Sequence, residues 1–238
     1  MKASSGAIFN PLTGGYGITK VRAGNGGGTD VYARINPGGS MIISAFHNSL
    51  SGKQYLFYDP VADPTEIRGN WRVDFVAGGP TLPAAKEISS LISWTDFGGE
   101  EVKNFSGTAR YTITFSKPSG KADVWRLNLG RVAESASVIL NGEELAILTG
   151  PNFAIDIDKK LIKKQNTLEI KVSNLMANRI AYMDRNNIEW KKFYNINMTA
   201  RYRENTKNGV FDASGWLPAE SGLMGPVTLT AMKRVEVG

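Results

Sequence analysis

Nine residues near the middle of the chain, "TARYTITFS" at 108–116, alternate strictly between apolar and polar side chains. Successive side chains of a β-strand point to opposite faces of a sheet, so the alternation separates a face that can be buried from a face that can be wetted. The first face carries Ala109, Tyr111, Ile113 and Phe115, and the second carries Thr108, Arg110, Thr112 and Thr114. The pattern predicts a half-buried β-strand.

Shorter runs with strand-like composition recur along the whole chain, separated by Gly- and Pro-rich connections. They lie at 18–23, 30–35, 40–46, 54–58, 71–76, 124–129, 137–140, 154–157, 167–172 and 227–232. Helical patterns are confined to short pieces at 84–92, 158–163 and 177–190. Many short strands with few helices predict an all-β fold, an antiparallel β-sandwich or jelly roll.

Two local signals refine this prediction. In "VILNGEELAIL", Asn141-Gly142 stands between two apolar runs, and this dipeptide suits the positive φ angles of a type I′ hairpin turn. The stretch "DPVADPTEIRG" at 59–69 combines two prolines with charge between strand-like regions, which is typical of a boundary. We therefore expect a small β-stranded segment at 1–67, the end of a preceding domain, and a jelly-roll domain at 68–238.

The composition excludes several kinds of site. The 238 residues contain no cysteine and a single histidine, so disulfides, thiolate metal sites and the usual zinc ligand sets are excluded. A Ser-His-Asp arrangement would need His47, which follows a strand and is more simply a structural or surface residue. The glycine-rich "GNGGGTD" leads into a strand instead of a helix, so it is not a nucleotide-binding loop. No apolar run approaches the ~18 residues that cross a bilayer, and the opening "MKASSGAIFNPL" is not an export signal.

The net charge of +6 has one dense basic source, "DKKLIKK" at 158–164. A short lysine cluster beside a strand commonly protects a sheet edge from pairing with other chains. We favour that interpretation over nucleic-acid binding, and we expect neither nucleic acid nor a membrane as partner.

Carboxylates are the remaining catalytic option, because glycoside hydrolysis needs an acid and a base on either side of the scissile bond. Three pairs lie in predicted loops without a recognisable flanking signature: Glu100 with Glu101, Asp184 with Glu189, and Asp212 with Glu220. Surface carboxylates are common, so we assign no catalytic residue. A calcium site made of loop oxygens is compatible with this composition, but the sequence does not locate one.

Sugar binding needs flat aromatic faces that stack on the ring, together with amides and charges that bond the hydroxyls. Such residues concentrate in the predicted loops: Trp94 with Asp96, then Asn174, Asn178, Arg179, Trp190, Tyr194, Asn195, Asn197 and Trp216. The alternative is that Trp71, Trp125 and Trp190 belong to the core, and that Arg179 pairs with Asp184 or caps carbonyls inside the protein. For "SNLMANRIAY" at 173–182 we expect a rim loop with Met176 and Ile180 turned inward, in which a scaffold role is favoured over sugar contact.

Five long motifs in one order carry a resemblance to a known family. They are "FSGTARYTITF", "WRLNLGRVAESASVILNG", "NTLEIKVSNLMANRIAYMDR", "WKKFYNIN" and "SGWLPAESGLMGPVTLT". Together they resemble the C-terminal region of bacterial α-L-rhamnosidases of glycoside hydrolase family 106. The middle part is also similar to the jelly-roll sugar-binding domain of family 2 β-galactosidases and β-glucuronidases. The resemblance covers about residues 69–231, and less distinctively 8–58.

The resemblance implies a galactose-binding-like sandwich from a secreted, polysaccharide-degrading enzyme, extracellular or periplasmic. In that family the catalytic carboxylates and the calcium-assisted site belong to an upstream barrel of alternating strands and helices, and this chain contains no such stretch. No catalytic position is therefore carried over.

Three hypotheses follow from the sequence. The chain is a non-catalytic module that binds a rhamnose-containing or pectic glycan weakly or buttresses a catalytic barrel. Alternatively it is a small hydrolase that uses loop carboxylates such as Asp184, Glu189 or Glu220. The third hypothesis is a purely structural module, which should expose a broad apolar patch for a partner domain.

Overall fold

The computed structural model describes residues 2–191 and 202–236. The chain divides into two compact units: Met1–Pro64, Gly120–Arg126 and Thr230–Gly238 form the first, and Thr65–Ser119 and Leu127–Leu229 form the second. The expected division into domains at residue 67 concerns independent folding and stays a prediction. Within the described ranges, no helix is long and apolar enough to cross a lipid bilayer.

The first unit is built on a small antiparallel sheet with the order β2-β1-β5. The strands of this sheet are β1 (Ser5–Phe9), β2 (Tyr16–Thr19) and β5 (Ile42–Phe46). A hairpin pairs β3 (Val21–Ala23) with β4 (Thr29–Val31). In addition, β6 (Tyr58–Pro60) pairs antiparallel with the last residues of β20 (Thr228–Arg234).

The second unit is dominated by a six-stranded antiparallel sheet with the order β14-β13-β16-β10-β8-β9. Its strands are β8 (Trp71–Gly79), β9 (Lys86–Ile88), β10 (Ser106–Ser116), β13 (Ser135–Leu140), β14 (Glu143–Thr149) and β16 (Gln165–Ser173). The shorter strands of this unit are β7 (Thr65–Glu66), β12 (Arg131–Ala133), β15 (Ala154–Asp158), β17 (Thr206–Lys207), β18 (Val210–Phe211) and β19 (Gly222–Gly225). Strand β11 (Val124–Asn128) begins in the first unit and ends in the second. Helices α1 (Glu100–Lys103) and α2 (Ala177–Arg185) complete the unit. The prediction of an all-β antiparallel sandwich is confirmed.

The alternation that predicted strand 108–116 is reproduced in β10, where Ala109, Tyr111 and Ile113 are buried and the residues between them are not. The hairpin prediction is also confirmed. Asn141 and Gly142 have φ angles of 54° and 86°, and Leu140 pairs with Glu143 across the turn. Both positive angles are those that a type I′ turn requires.

Three local predictions are wrong. Residues 54–58 do not form a strand of their own, because only an isolated bridge at Gln54 and the start of β6 lie there. The helical pattern at 84–92 instead gives β9, since pairing with β8 overrides local propensity. The pattern at 158–163 ends β15 and forms a turn, whereas 177–190 does yield a helix, α2.

The core of the second unit is closed by aromatic side chains. Trp94, Phe75 and Phe105 contact one another edge to face, with ring centroids 5.0 to 5.7 Å apart. Tyr111 is also fully buried, and burial raises the pKa of its hydroxyl above the ordinary value. Gly222 passes so close to this cluster that an ideal Cβ would lie 2.3 Å from Tyr111 Oη and 2.7 Å from Trp94 Cε3.

We predict that Gly222→Ala destabilises the chain by about 3 kcal/mol, because the added methyl overlaps the buried aromatics. The φ of +99° at this residue adds backbone strain for any side chain. Urea denaturation followed by tryptophan fluorescence measures the effect. Gly215→Ala is the matched control, since a Cβ there meets nothing within 4 Å. An unchanged urea midpoint for Gly222→Ala would contradict the packing described.

Candidate functional site

Asn174, which follows β16, connects that strand to the start of β10. Its Oδ1 accepts a hydrogen bond from Gly107 N at 2.8 Å, and its Nδ2 donates to Phe105 O at 3.2 Å and to Ser221 Oγ at 2.9 Å. The backbone N–H of Asn174 also donates to Gly107 O. Both amide protons are therefore used within the protein.

Asn178, in the first turn of α2, is 3% exposed and bonds the backbone of Ala219 in both directions. Its Oδ1 accepts from Ala219 N at 2.7 Å, and its Nδ2 donates to Ala219 O at 3.0 Å and to Ser221 Oγ at 3.3 Å. Ser221 N in turn donates to Ser93 Oγ at 2.9 Å. These contacts fix α2 to the segment that precedes β19, here named the 217–221 segment.

The side chain of Arg179, unlike those of the two asparagines, is not hydrogen-bonded within the described residues. Its backbone N–H donates to Ser106 Oγ at 3.1 Å, and its guanidinium lies against Gly79, where an ideal Cβ would be 2.7 Å from Arg179 Cζ. The ion pair between Arg179 and Asp184, one of the alternatives for this side chain, is not formed, because Asp184 pairs with Lys191 instead. Among the described residues, the guanidinium has no hydrogen-bonded or ion-paired partner.

Asp184, near the end of α2, has a side chain that is only 5% exposed. Its Oδ1 accepts from Trp190 Nε1 and from Lys191 Nζ, both at 2.7 Å, and its Oδ2 accepts from Ala213 N at 2.8 Å. Because both oxygens are bonded to groups that the chain itself supplies, this carboxylate is not placed to act as a catalytic acid or base.

Three aromatic rings lie beside Asp184. Phe211 contacts Trp190 and Trp216 edge to face, at centroid distances of 6.2 and 5.7 Å. Trp216 Nε1 donates to Asn205 Oδ1 at 2.8 Å, and Lys191 Nζ lies 5.2 Å from the centre of the Trp190 ring. Trp190 and Trp216 are half-buried, and the cluster joins the end of α2 to β18 and the loop that follows it.

Two predictions for this region are corrected. Trp94 is completely buried between Phe75 and Phe105, so it has no free face for a sugar ring. Met176 is 48% exposed instead of turned inward, because "SNLMANRIAY" is not a loop throughout but enters α2 at Ala177. Ile180 is half-buried. Tyr194, Asn195 and Asn197 lie outside the described residues.

The other candidate carboxylates are dispersed, and three of the six are paired or hydrogen-bonded. Glu100 pairs with Lys103, Glu220 pairs with Arg131, and Asp96, Glu101 and Glu189 are exposed. Asp212 Oδ1 accepts from Ser214 N at 2.7 Å, and the hydrogen bonds from Ser214 hold the pKa of this carboxyl below its ordinary value. Within residues 2–191 and 202–236, no group of three or more His, Asp or Glu side chains is placed to hold a metal ion.

Sequence reasoning missed Ser93, Ser221 and Asn205, which complete these networks. Each is a buried polar residue in a connecting segment. A lone serine or asparagine in a loop carries no spacing signal, so only the fold shows that it meets Asn174, Asn178 or Trp216.

Comparisons with known proteins show what this chain is similar to. No family model matches the chain. A rhamnosidase structure from Novosphingobium sp. PP1Y aligns with 97% of the chain at 27% identity and a TM-score of 0.71. A Formosa agariphila protein provisionally named a β-glucuronidase is 33% identical over 158 residues, 61% of the chain. A Dictyoglomus thermophilum β-D-glucuronidase aligns with 47% of the chain at 18% identity and a TM-score of 0.39, too low to support an argument.

The chain is thus a β-sandwich similar to part of a glycoside hydrolase, and more specifically to part of a rhamnosidase. It spans 21% of the rhamnosidase chain and 13% of the Formosa protein. The resemblance inferred from the sequence motifs is confirmed at this level.

We predict that Asn178→Ala destabilises the chain by about 2 kcal/mol, because it leaves the N–H of Ala219 without its partner and removes one of the two hydrogen bonds to Ala219 O, which keeps only the bond from Ser221 Oγ. Chemical denaturation measures the loss. Asn152→Ala serves as control, because Asn152 is exposed and its side chain has no hydrogen-bond partner among the described residues. We expect the control to change stability by less than about 0.5 kcal/mol. Equal effects of the two substitutions would contradict a scaffold role for Asn178.

The lowered pKa of Asp212 predicts a pH dependence. A carboxyl whose pKa is depressed in the folded state contributes stability above its ordinary pKa of about 3.9, and the contribution is lost as pH falls through the folded-state value. Asp212→Asn should therefore be less stable than the parent at pH 7, and the difference should shrink below about pH 4. Unfolding free energies at several pH values measure this, and a difference that is independent of pH would refute the assignment.

Proposed function

We propose that this chain is a non-catalytic module of a rhamnosidase-like glycoside hydrolase. We further propose that its rim at α2, the surface formed by residues 174–185 and the 217–221 segment, packs against the catalytic barrel of that enzyme. The observation that carries the proposal is the distribution of polarity on the rim. Its amides and carboxylate are bonded internally, whereas Leu175, Met176 and Leu217 are exposed. A site built to bind sugar would show the opposite arrangement.

Three polar candidates are already used by the fold. Asn174 and Asn178 bond backbone groups of β10 and the 217–221 segment, and Asp184 accepts three hydrogen bonds. A ligand that displaced these contacts would leave partly buried polar groups of the protein unpaired, at a cost of about 1–3 kcal/mol each. The polar groups of the rim therefore stabilise the sandwich, and few of them are free to bond a ligand.

Exposed apolar residues surround the same contacts. Leu175 and Met176, immediately before α2, are 61% and 48% exposed, and Leu217, two residues before Ala219, is 87% exposed. The bonds between Asn178 and Ala219 bring these two segments together. Exposed apolar residues gathered on one surface are typical of a docking site for another domain.

A second version of the proposal is that the module also contacts the glycan directly. The Arg179 guanidinium has no partner among the described residues, and Trp190 and Trp216 are half-buried. These side chains could bond a rhamnose-containing or pectic glycan held next to the barrel, in an enzyme that acts outside the cytoplasm.

The small-hydrolase alternative has no comparable support, because Asp184 is enclosed and Glu220 is paired with Arg131.

We predict that Leu175→Ser combined with Leu217→Ser weakens association of the module with the catalytic barrel of the parent enzyme by about tenfold or more, through loss of apolar contact. Isothermal titration with separately expressed barrel measures the affinity. The stability of the module itself should change little, since both side chains are exposed. Ile147→Ser, an exposed apolar position on β14, is the control and should leave the affinity unchanged.

Assay of the isolated chain with aryl α-L-rhamnosides and aryl β-D-glucuronides completes the test. The proposal expects no turnover. Turnover that disappears in Asp184→Asn or Glu220→Gln would establish the small-hydrolase alternative instead, and equal barrel binding by the rim and control variants would refute the docking role.

A further inference from the structure

The turn between β15 and β16, residues 159–164, is here named the lysine loop. Its sequence is "KKLIKK", in which four exposed lysines flank Leu161 and the buried Ile162. The lysines follow β15 instead of lying along it, so protection of a strand edge does not account for them.

The lysine loop has a defined conformation that hydrogen bonds from two asparagines maintain. Asn166, 2% exposed, accepts from Lys163 N at 2.8 Å and donates back to Lys163 O at 2.8 Å. Asn141, in the β13–β14 turn, donates to Leu161 O at 3.1 Å. At the start of the loop, Lys160 N donates to Asp158 Oδ1 at 2.9 Å. The backbone that carries the charges is therefore fixed before any partner arrives.

A fifth lysine joins the group from another strand connection. Lys117, just after β10, donates its backbone N–H to Lys164 O at 3.1 Å. The chain thus brings positive charge from two separate segments to one end of the second unit. Exposed carboxylates near this end belong to Asp158, which caps the turn, and to Glu143 in the hairpin of Asn141.

Some cations of the second unit are paired with carboxylates within the chain. Arg72 and Arg110 pair with Asp74, and Lys191 pairs with Asp184. By contrast, Lys117, Lys160, Lys163 and Lys164 have no ion-pair partner anywhere in the described parts of the chain. Four unpaired cations on an ordered surface repel one another and would be stabilised by a polyanion.

We propose that the lysine loop together with Lys117 binds an acidic polysaccharide, a polymer whose sugars carry carboxylate or sulfate groups. Lysine ammonium groups are flexible point charges that suit repeated anions without demanding one exact geometry. Nucleic acid is also a polyanion, but "DKKLIKK" contains no aromatic ring on which bases could stack. The similarity to glycoside hydrolases favours the acidic glycan, and this inference does not depend on packing of the rim at α2.

The test uses the full chain and three polymers: polygalacturonate, uncharged dextran, and single-stranded DNA at matched charge concentration. Binding by isothermal titration should be detected for polygalacturonate, be absent for dextran, and weaken steeply between about 50 and 200 mM salt. In the triple variant Lys160→Gln, Lys163→Gln and Lys164→Gln, affinity should fall about tenfold or more and the salt dependence should become shallower.

The control is a second triple variant, which removes three positive charges outside the lysine loop. Lys20→Gln, Lys53→Gln and Lys233→Gln are exposed substitutions that lower the net charge equally, and they should reduce affinity much less than the loop variant. An equal loss in both variants, equal binding of dextran and polygalacturonate, or tighter binding of DNA than of polygalacturonate would overturn the proposal. Association with the catalytic barrel should be the same for the parent and the loop variant, so failure of either proposal can be recognised independently.

Discussion

The rim of the second unit depends on side-chain amides that complete the backbone hydrogen bonding of neighbouring segments. Asn178 bonds both polar groups of Ala219, and Asn174 bonds Gly107 and Phe105 at the start of β10. Segments that leave a sheet lose their ladder partners, and buried backbone groups left unpaired are costly. The asparagine side chain has both a donor and an acceptor, so it can bond backbone groups that lack a neighbouring strand.

This constraint explains why residues that looked like a sugar site are part of the framework. Amides and aromatics in loops are the residue types that bind glycans, but the same types also pack and hydrogen-bond the loops at the end of a β-sandwich. Trp94 fills the core, and Asp184 bonds the end of α2 to the loop after β18. Among these rim residues the Arg179 guanidinium has no partner in the described parts of the chain. The internal bonding of the rim is the reason that we favour domain packing over catalysis.

Much of the fold could be predicted from the sequence because its signals are local. Strict alternation located β10, and Asn141-Gly142 located the β13–β14 turn, since each pattern needs only neighbouring residues. The helical pattern at 84–92 failed because pairing with β8 is a tertiary effect. The burial of Trp94 and the exposure of Met176 could not be read from the sequence for the same reason, because each depends on which distant segment packs there. Long motifs, by contrast, were sufficient to indicate the rhamnosidase-like class.

The central claim is that the rim amides are structural, and NMR of the Asn174 and Asn178 side-chain amides tests it most directly. Both amides should be protected from solvent exchange, since their protons are bonded inside the protein. Their resonances should stay in place when L-rhamnose or galacturonate oligomers are added at millimolar concentration. Rapid exchange, or ligand-dependent shifts centred on these two amides, would show that they belong to a glycan site and would contradict the account.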